Sequence, residues 1–394
     1  MQTTDALLAF LVAAVVTLAL TPLAARFARL VGAVATPRER DLHERPTPRL
    51  GGMAILAGVL VAGGIWLPGN EETRGILIGA SVITAIGALD DTFDLAAPIK
   101  LAGQFAAAFV PVQAHVRVEN FTLPFLGAVH LGSVGGPALT LIGIVAVMNI
   151  VNFTDGVDGL AAGVCTIAAA TFAVIALSLD RGEAGILAAV VAGAAVGFLY
   201  HNFYPATVFM GDAGSNLLGL LLACIAVQGV LKTAAVVSLF FPLVILAVPI
   251  LDTGFVVAKR IKYKRPVYSA DTWHFHHRFR NIGFSQRRTV LYLYGWTLTL
   301  SALGLALRFV PYSDNHGHFR LGWSAVIAAF GLVALAATVY LIYTLEILKF
   351  RRFRERQLRR ASTLVGGRPP SEEQLADTIE REIETGDFEA VGHD

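Results

Sequence analysis

The sequence predicts an all-α polytopic membrane protein of about eleven transmembrane helices, and three observations carry that reading. Of 394 residues, 55% are hydrophobic and only 15% charged, with a mean hydropathy of +0.63; a soluble domain carries about 25% charged residues. Several apolar runs reach or approach ~20 residues, the length that spans a ~30 Å hydrocarbon core. Lysine and arginine are concentrated in alternate connections between those runs, the charge asymmetry of membrane-spanning chains. The length suits one helical bundle better than a soluble enzyme with an anchor.

In chain order the expected spans are 5–27, 51–67, 74–89, 98–114, 135–152, 158–179, 184–202, 213–231, 234–257, 289–309 and 321–348. The first has no basic n-region and no small-residue cleavage site before further spans follow, so it reads as a helix and not as a removed signal. Between the fourth and fifth lies "QAHVRVENFTLPFLGAVHLGS". Pro and Gly interrupt it and polar residues partly alternate with apolar ones, which predicts a short extracytoplasmic hairpin. Cys165 and Cys224 fall inside apolar runs and no CxxC occurs, so neither a disulfide nor a zinc site is expected.

Six Lys and Arg lie between Arg26 and Arg49, nine between Lys259 and Arg288, and seven between Lys349 and Arg360. The opposite connections hold only Arg74, Arg117, Arg181, Lys232, Arg308 and Arg320. Positive charge marks the cytoplasmic side. The expected topology is therefore a multi-pass protein of the cell membrane, its N-terminus outside and its C-terminus in the cytoplasm, as an odd span count requires. Residues 1–348 form the transmembrane domain and carry the cytoplasmic loops; residues 349–394 form a basic, then acidic, cytoplasmic tail. In that tail Ser371 and Gln374 have the spacing of a capping box before a short surface helix. A nucleic-acid partner is not expected.

With this topology, five polar clusters fall at the cytoplasmic surface: "DLHERPTPRLGG" (41–52), "ALDDTFDL" (88–95), "NIVNFTDGVDGLAAG" (149–163), "HNFYPATVFMGDAGS" (201–215) and "ADTWHFHHRFR" (270–280). Loops converging on one face of a rigid scaffold are a common way to build a site. Asp90 and Asp91 are adjacent, with Asp94 a turn further on. Neighbouring carboxylates repel, and they are tolerated best beside a divalent cation or with one acting as a base. Mg²⁺ takes one or two carboxylates and completes its shell with water and substrate phosphate. Asp212 lies between Gly211 and Gly214 at the opening of a helix, where it either caps the helix or stands beside amides that suit a phosphate. His274, His276 and His277 are too closely spaced for three ligands on one zinc ion; with Arg278 they suit a diphosphate. Pro46, Pro48, Gly51 and Gly52 fix a loop shape that charge sorting does not require, which favours a site role for Arg49 or His43.

The segment 149–163 places Asn149, Asn152, Asp155 and Asp158 three residues apart, a spacing that smears over about half of a helix and makes no narrow stripe. Its glycines predict that span five ends near Asn152 and span six begins near Gly159. Asp155 and Asp158 then sit in the loop between. It is neither an EF-hand loop nor a P-loop. The cost of these four polar residues is expected to be offset chiefly by a bound substrate, with Asn149 left as a residue that caps and positions.

Taken together, "HERPTPRLGG", "DDTFD", "NIVNFTDGVDGLAAG", "VFMGDAGSNLLG" and "HFHHR", in that order across residues ~1–348, resemble the signatures of the polyprenyl-phosphate hexosamine-1-phosphate transferases. "RPTPRLGG" and "HFHHR" are more similar to the bacterial N-acetylglucosamine-1-phosphate branch, which initiates O-antigen, teichoic acid or arabinogalactan linker synthesis. The muramoyl-pentapeptide branch usually carries a triple His, and here Phe275 separates His274 from His276. The resemblance implies that a polyprenyl phosphate attacks the β-phosphate of a UDP-N-acetylhexosamine, here UDP-N-acetylglucosamine, with Mg²⁺ or, in its place, Mn²⁺. It implies Asp212 as a Mg²⁺ ligand, Asp90 as the base toward the polyprenyl phosphate, and Asp91 as support for metal or diphosphate. Asn152 and Asp155 match positions near the ribose and nucleotide, Asp158 and Asn202 match uracil contacts, and Phe209 matches an aromatic stacked on the base. His274, His276, His277 and Arg278 match the clamp on diphosphate and sugar. A homodimer is also suggested. The alternatives are the same chemistry with another UDP-N-acetylhexosamine or UDP-muramoyl-pentapeptide, or a secondary transporter. A transporter predicts charges near mid-span and often an inverted repeat, and neither is seen.

Overall fold

The computed structural model describes residues 2–35, 46–123, 127–231, 240–262, 285–311, 320–343 and 371–385, together with Glu355 and Leu358. The elements, in order, are α1 (Gln2–Val31), β1 (Val34–Ala35), β2 (Thr47–Pro48), α2 (Gly51–Trp66), α3 (Glu71–Phe93), α4 (Ala97–Gln113), β3 (Asn120–Leu123), β4 (Gly127–His130), α5 (Gly132–Thr154), α6 (Leu160–Ser178), α7 (Gly182–Asn202) and α8 (Gly211–Ala226). A π-helical turn follows at Val227–Leu231, then α9 (Phe240–Ile245), α10 (Ala247–Lys262), α11 (Gln286–Phe309), α12 (Leu321–Tyr343) and α13 (Glu372–Thr385).

Among the described residues seven helices are long and apolar enough to cross a membrane: α1, α3, α5, α6, α7, α8 extended to Gly229, and α11. Shorter apolar helices lie at Gly51–Trp66, Ala247–Val257 and Leu321–Ala336. The protein is thus an all-α polytopic membrane protein, with two small antiparallel strand pairs among the described residues. The 16 residues of α2 rise about 24 Å at ~1.5 Å each, short of a full hydrocarbon core. The run expected as one span at 234–257 contains two helices, α9 and α10, that meet at Leu246. Hydrophobicity alone does not register that break.

Small residues set the interior. On α7, Gly193 faces the Phe10 carbonyl and Gly197 the Ala14 carbonyl of α1, and a Cβ at either would strike that backbone. Gly58 of α2 likewise abuts Thr17 of α1. Such contacts bring helices close where lipid offers no hydrophobic drive between them. α7 and α8 are buried along almost their whole length, whereas α1 turns Leu7, Leu11 and Val15 outward. An apolar outer face is what a bilayer-facing helix requires. Between α4 and α5, β3 pairs with β4 from Asn120↔His130 to Leu123↔Gly127. β1 pairs with β2 through Val34↔Pro48 and Ala35↔Thr47.

The chain divides into two compact units, Met1–Ile250 with Val290–Ile327, and Leu251–Thr289 with Ala328–Asp394. In the second unit the capping box forms as the spacing predicts: Ser371 N–H donates to Gln374 Oε1 at 3.0 Å and Gln374 N–H to Ser371 Oγ at 3.2 Å. The helix it opens, α13, is amphipathic, with Leu375 and Ile379 buried one turn apart.

Candidate active site

The site is assembled within the first unit, starting from the end of α3. Asp94 adopts φ +50°, a left-handed conformation that Asp tolerates better than most residues. It closes the helix by donating its N–H to the Asp90 carbonyl at 2.9 Å. Asp90 Oδ1 then accepts the Leu95 N–H at 2.9 Å. With Pro98 in its first turn, α4 starts at once, and Lys100 comes back over the end of α3. Lys100 Nζ lies 3.1 Å from Asp90 Oδ2 and is in ion contact with Asp212 Oδ2.

Asp91 faces another way, because adjacent residues on a helix diverge by about 100°. Its Oδ1 accepts the Asp212 N–H at 3.0 Å and its Oδ2 the Ala213 N–H at 3.1 Å. The first amides of α8, which the sequence offers to a phosphate or to Asp212 itself, are therefore held by a carboxylate from α3. Two glycines make this approach possible. Gly211 has φ +70°, and a Cβ there would strike the Arg49 carbonyl and the Asp91 carboxylate. A Cβ on Gly87, one turn before Asp91, would strike the backbone at Asp212 and Ala213.

The loop shape expected around Pro46–Gly52 serves the same helix start. Phe209 N–H donates to the Pro48 carbonyl at 2.8 Å, Gly51 N–H to the Phe209 carbonyl at 3.0 Å, and Gly52 N–H to the Met210 carbonyl at 3.0 Å. A Cβ on Gly52 would overlap the backbone of Ala213 and Gly214. Arg49 is carried in this loop, its charge within electrostatic reach of Asp91. Phe209 is half-buried beside it.

α5 ends at Thr154 and α6 begins at Leu160, so the loop falls where the glycines predict it. Most of its polar cost is offset inside the protein, which corrects the expectation that a substrate would supply the partners. Asn149 Nδ2 donates to Gln104 Oε1 and to the Val145 carbonyl, both at 2.8 Å. Asn152 Oδ1 accepts the Ser215 hydroxyl at 2.7 Å. Asp158 Oδ2 accepts the Ala206 N–H at 2.9 Å. Asn202 is buried; its Oδ1 accepts the Gly159 N–H and its Nδ2 donates to the Val208 carbonyl, both at 3.0 Å. Tyr294 donates its hydroxyl to the Gly159 carbonyl. Asp155 differs: its N–H donates to the Asn152 carbonyl at 3.2 Å, but its carboxylate makes no hydrogen bond or ion pair among the described residues. Loss of water pushes its carboxyl well above the usual carboxylate range, and the charges of Asp91 and Asp158 push it further.

Asp90, Asp91, Asp212, Asn152, Asp155 and Arg49 thus come together where α3, α5 and α8 meet the 46–52 loop. Asp158 and Asn202 brace the adjoining loops against each other. His274, His276, His277 and Arg278, like His43, lie outside the described residues. Lys100, Gln104, Asn216 and Tyr294 escaped the sequence reading. The available signal was a lone cation and, four residues later, an amide within the apolar run 98–114.

A divalent cation fits the donor set. Among the described residues no three His, Cys, Asp or Glu side chains cluster closely enough to hold one alone. Mg²⁺ needs only one or two carboxylates when water and substrate phosphate complete its shell. Asp212 Oδ2 is buried, lacks a hydrogen-bond partner and meets the Lys100 ammonium, so a cation is what this oxygen accepts. The opposed charges of Asp90, Lys100 and Asp212, on a helix junction, can bind and neutralise a diphosphate complex.

Comparison with known proteins agrees with this chemistry. The sequence profile described as glycosyl transferase family 4 matches residues 73–230. A Bacillus subtilis (strain 168) protein named "Probable undecaprenyl-phosphate N-acetylglucosaminyl 1-phosphate transferase" is 39% identical over 305 residues, 75% of this chain and 84% of its own. The decaprenyl-phosphate N-acetylglucosaminephosphotransferase of Mycobacterium leprae (strain TN) is 37% identical over 342 residues, 79% and 86% of the two chains. A phospho-N-acetylmuramoyl-pentapeptide-transferase of Desulforudis audaxviator (strain MP104C) is 37% identical over 302 residues, 68% and 86%.

Proposed function

The chain belongs to glycosyl transferase family 4, and from that premise we propose that it transfers N-acetylglucosamine-1-phosphate from UDP-N-acetylglucosamine to a membrane polyprenyl phosphate. The products are polyprenyl-diphospho-N-acetylglucosamine and UMP. This is the first membrane step of a cell-envelope polysaccharide. The observation that carries the reading is the junction of Asp90, Lys100 and Asp212. It sets one cation between two carboxylates, and a third, Asp91, anchors the helix that bears Asp212. Relatives named for N-acetylglucosamine transfer match most of the chain.

In the proposed reaction an oxygen of the polyprenyl phosphate forms a bond to the β-phosphorus of the donor. The bond from that phosphorus to the oxygen bridging it to the α-phosphate breaks, and UMP leaves with the bridging oxygen. Such transfers depend on positioning and charge neutralisation more than on covalent help from the protein. Asp90 accepts any proton left on the acceptor phosphate. Lys100 neutralises the phosphate oxygens. Asp91 fixes the start of α8 and so the direction of Asp212. Asn152 and Asp155 face the nucleotide, Phe209 stacks on its base, and Asp158 and Asn202 shape the uracil pocket by holding the two loops together. Arg49 and the His274, His276, His277, Arg278 cluster take the diphosphate and sugar. When bound at Asp212, Mg²⁺, or Mn²⁺ in its place, supplies positive charge that stabilises the leaving UMP.

Eleven spans, with residues 1–348 as the catalytic domain, the C-terminus and site cytoplasmic, and the β3–β4 hairpin outside, complete the reading; charge sorting supports the orientation. The lipid phosphate then meets the donor at the inner surface while its tail stays in the bilayer. A homodimer belongs to the same proposal. The test is purified protein with Mg²⁺, a polyprenyl phosphate and each UDP-N-acetylhexosamine in turn, with UMP as the readout. Release with UDP-N-acetylglucosamine is expected. No release above background with any donor overturns the proposal, and release with UDP-muramoyl-pentapeptide alone replaces its donor.

A further inference from the structure

Beneath the carboxylates lies a second polar layer that the reaction as written does not use. Gln104 is 1% exposed and lies one turn beyond Lys100 on the same face of α4. Its Nε2 donates to Asn216 Oδ1 at 2.8 Å and to Asn149 Oδ1 at 3.4 Å. Its Oε1 accepts from Asn149 Nδ2 at 2.8 Å. Asn216, also 1% exposed, donates its Nδ2 to the Asp212 carbonyl at 2.8 Å. The ring closes above: Asn152, one turn after Asn149 on α5, accepts from Ser215, the neighbour of Asn216 on α8.

We infer that Gln104 is a positioning residue, which locks α8 against α5 in the register that aims Asp212 into the site. The inference rests on the proposed function and deepens it. Among the described residues Gln104 hydrogen-bonds neither the carboxylates nor the loops that would hold the nucleotide, so it acts through Asn216 and Asn149. Three primary amides packed together, Gln104 and Asn216 buried and Asn149 half-buried, have few ways to pair. An amide left unpaired in so dry a place is costly, so the ring selects one relative setting of three helices. Removal of Gln104 leaves Asn216 Oδ1 and one Asn149 hydrogen without partners. The first turn of α8 then loses its hold from α4, keeping those from Asp91 and Asn152, and Asp212 shifts with it. The 155–159 and 203–209 loops are held by separate bonds from Asn202, Asp158 and Tyr294. Binding of the nucleotide should therefore survive while turnover suffers.

Gln104→Met keeps the length of the side chain and removes all of its hydrogen bonds. The measurement is UMP release with UDP-N-acetylglucosamine, with kcat and donor KM determined separately, beside thermal unfolding in detergent. The expected result is a kcat lower by about tenfold or more, the scale of a small misplacement of reacting groups, with the donor KM changed less than about twofold. Asn216→Leu should do the same, and the double variant should fall little below either single one, because both cut one ring. If Gln104→Met does not give monodisperse protein, Asn149→Ser makes the cut from α5 and carries the same expectation. An unchanged kcat, a loss that appears only in KM, or additive losses in the double variant overturn the inference. A wild-type protein that releases no UMP overturns the functional reading and this inference with it; a wild-type that turns over beside an unaffected Gln104→Met overturns the inference alone.

Discussion

Asp91 binds the main-chain N–H of Asp212, not its side chain: Oδ1 takes that amide at 3.0 Å while Oδ2 takes the next, Ala213, at 3.1 Å. A carboxylate on the first amides of a helix combines two hydrogen bonds with the favourable end of the helix dipole. Bonds of this charged kind contribute about 1.5–3 kcal/mol each. Asp91→Asn should weaken both, since an amide presents only one acceptor and turns a donor toward the second N–H. The expected outcome is a lower unfolding temperature and a kcat reduced by about tenfold or more, from a protein that still folds. Wild-type turnover in Asp91→Asn would show that the anchoring of α8 is not needed.

Gly52 gives a steric test of the same junction. A Cβ on it would overlap the backbone of Ala213 and Gly214, which cannot move aside as a flexible side chain would. Gly52→Ala should therefore push the 46–52 loop off α8, carrying Arg49 with it. Activity should fall by at least about tenfold even though alanine suits a helix better than glycine. Gly143, with nothing near its Cβ position, is the control. Gly143→Ala should leave UMP release unchanged, and equal losses in the two variants would refute the steric account.

Asp155 gives a pH test. Burial first, then Asp91 and Asp158, hold its carboxyl well above the usual carboxylate range. A raised carboxylate pKa means that ionisation costs more in the folded state than in the unfolded one. Below the unfolded pKa both states are protonated and there is no penalty. As pH rises from there through the folded pKa, stability is lost, and the loss is complete above it. Asp155→Asn removes the penalty. Substrate-free protein should then unfold at a higher temperature than wild type at pH 8, with the gain shrinking toward pH 4. UMP release should fall at every pH. A gain that does not change with pH would assign the effect to packing, not charge. An expensive unpartnered carboxylate suggests a group kept for a ligand.

The fold and site were legible where local chemistry decides them. Gly156 and Gly159 announce the break between α5 and α6, Ser371 and Gln374 announce α13, and the polar ends of apolar runs announce the site face. What was hidden depends on distance in the chain or on direction. The amide ring joins Gln104 to residues 45 and 112 positions away, and no local pattern pairs them. Asp90 and Asp91 read as one acidic pair, yet helix geometry sends one to Lys100 and the other to α8. Asn152 reads as a group awaiting a ligand because its partner, Ser215, comes from another helix.

Lys100 has the sharpest consequence. Its ammonium joins Asp90 to Asp212, so in metal-free protein it is the charge that keeps these carboxylates from repelling each other. Lys100→Met removes that charge and preserves the length of the side chain. The two carboxylates are then uncompensated in a poorly hydrated place, and metal-free protein should unfold at a lower temperature than wild type. A divalent cation should restore more stability to the variant than to wild type, because binding now relieves a repulsion that Lys100 otherwise covers. The measurement is unfolding temperature against Mg²⁺ concentration, with no substrate present. Asp212→Asn is the reference, and in it both the repulsion and the Mg²⁺ response should be lost. A smaller Mg²⁺ shift in Lys100→Met than in wild type would mean that the lysine and the metal do not share this place, and that Lys100 serves only the phosphates. A larger shift, with UMP release still lost, would separate two roles: counter-charge in the resting protein and neutralisation of phosphate during transfer.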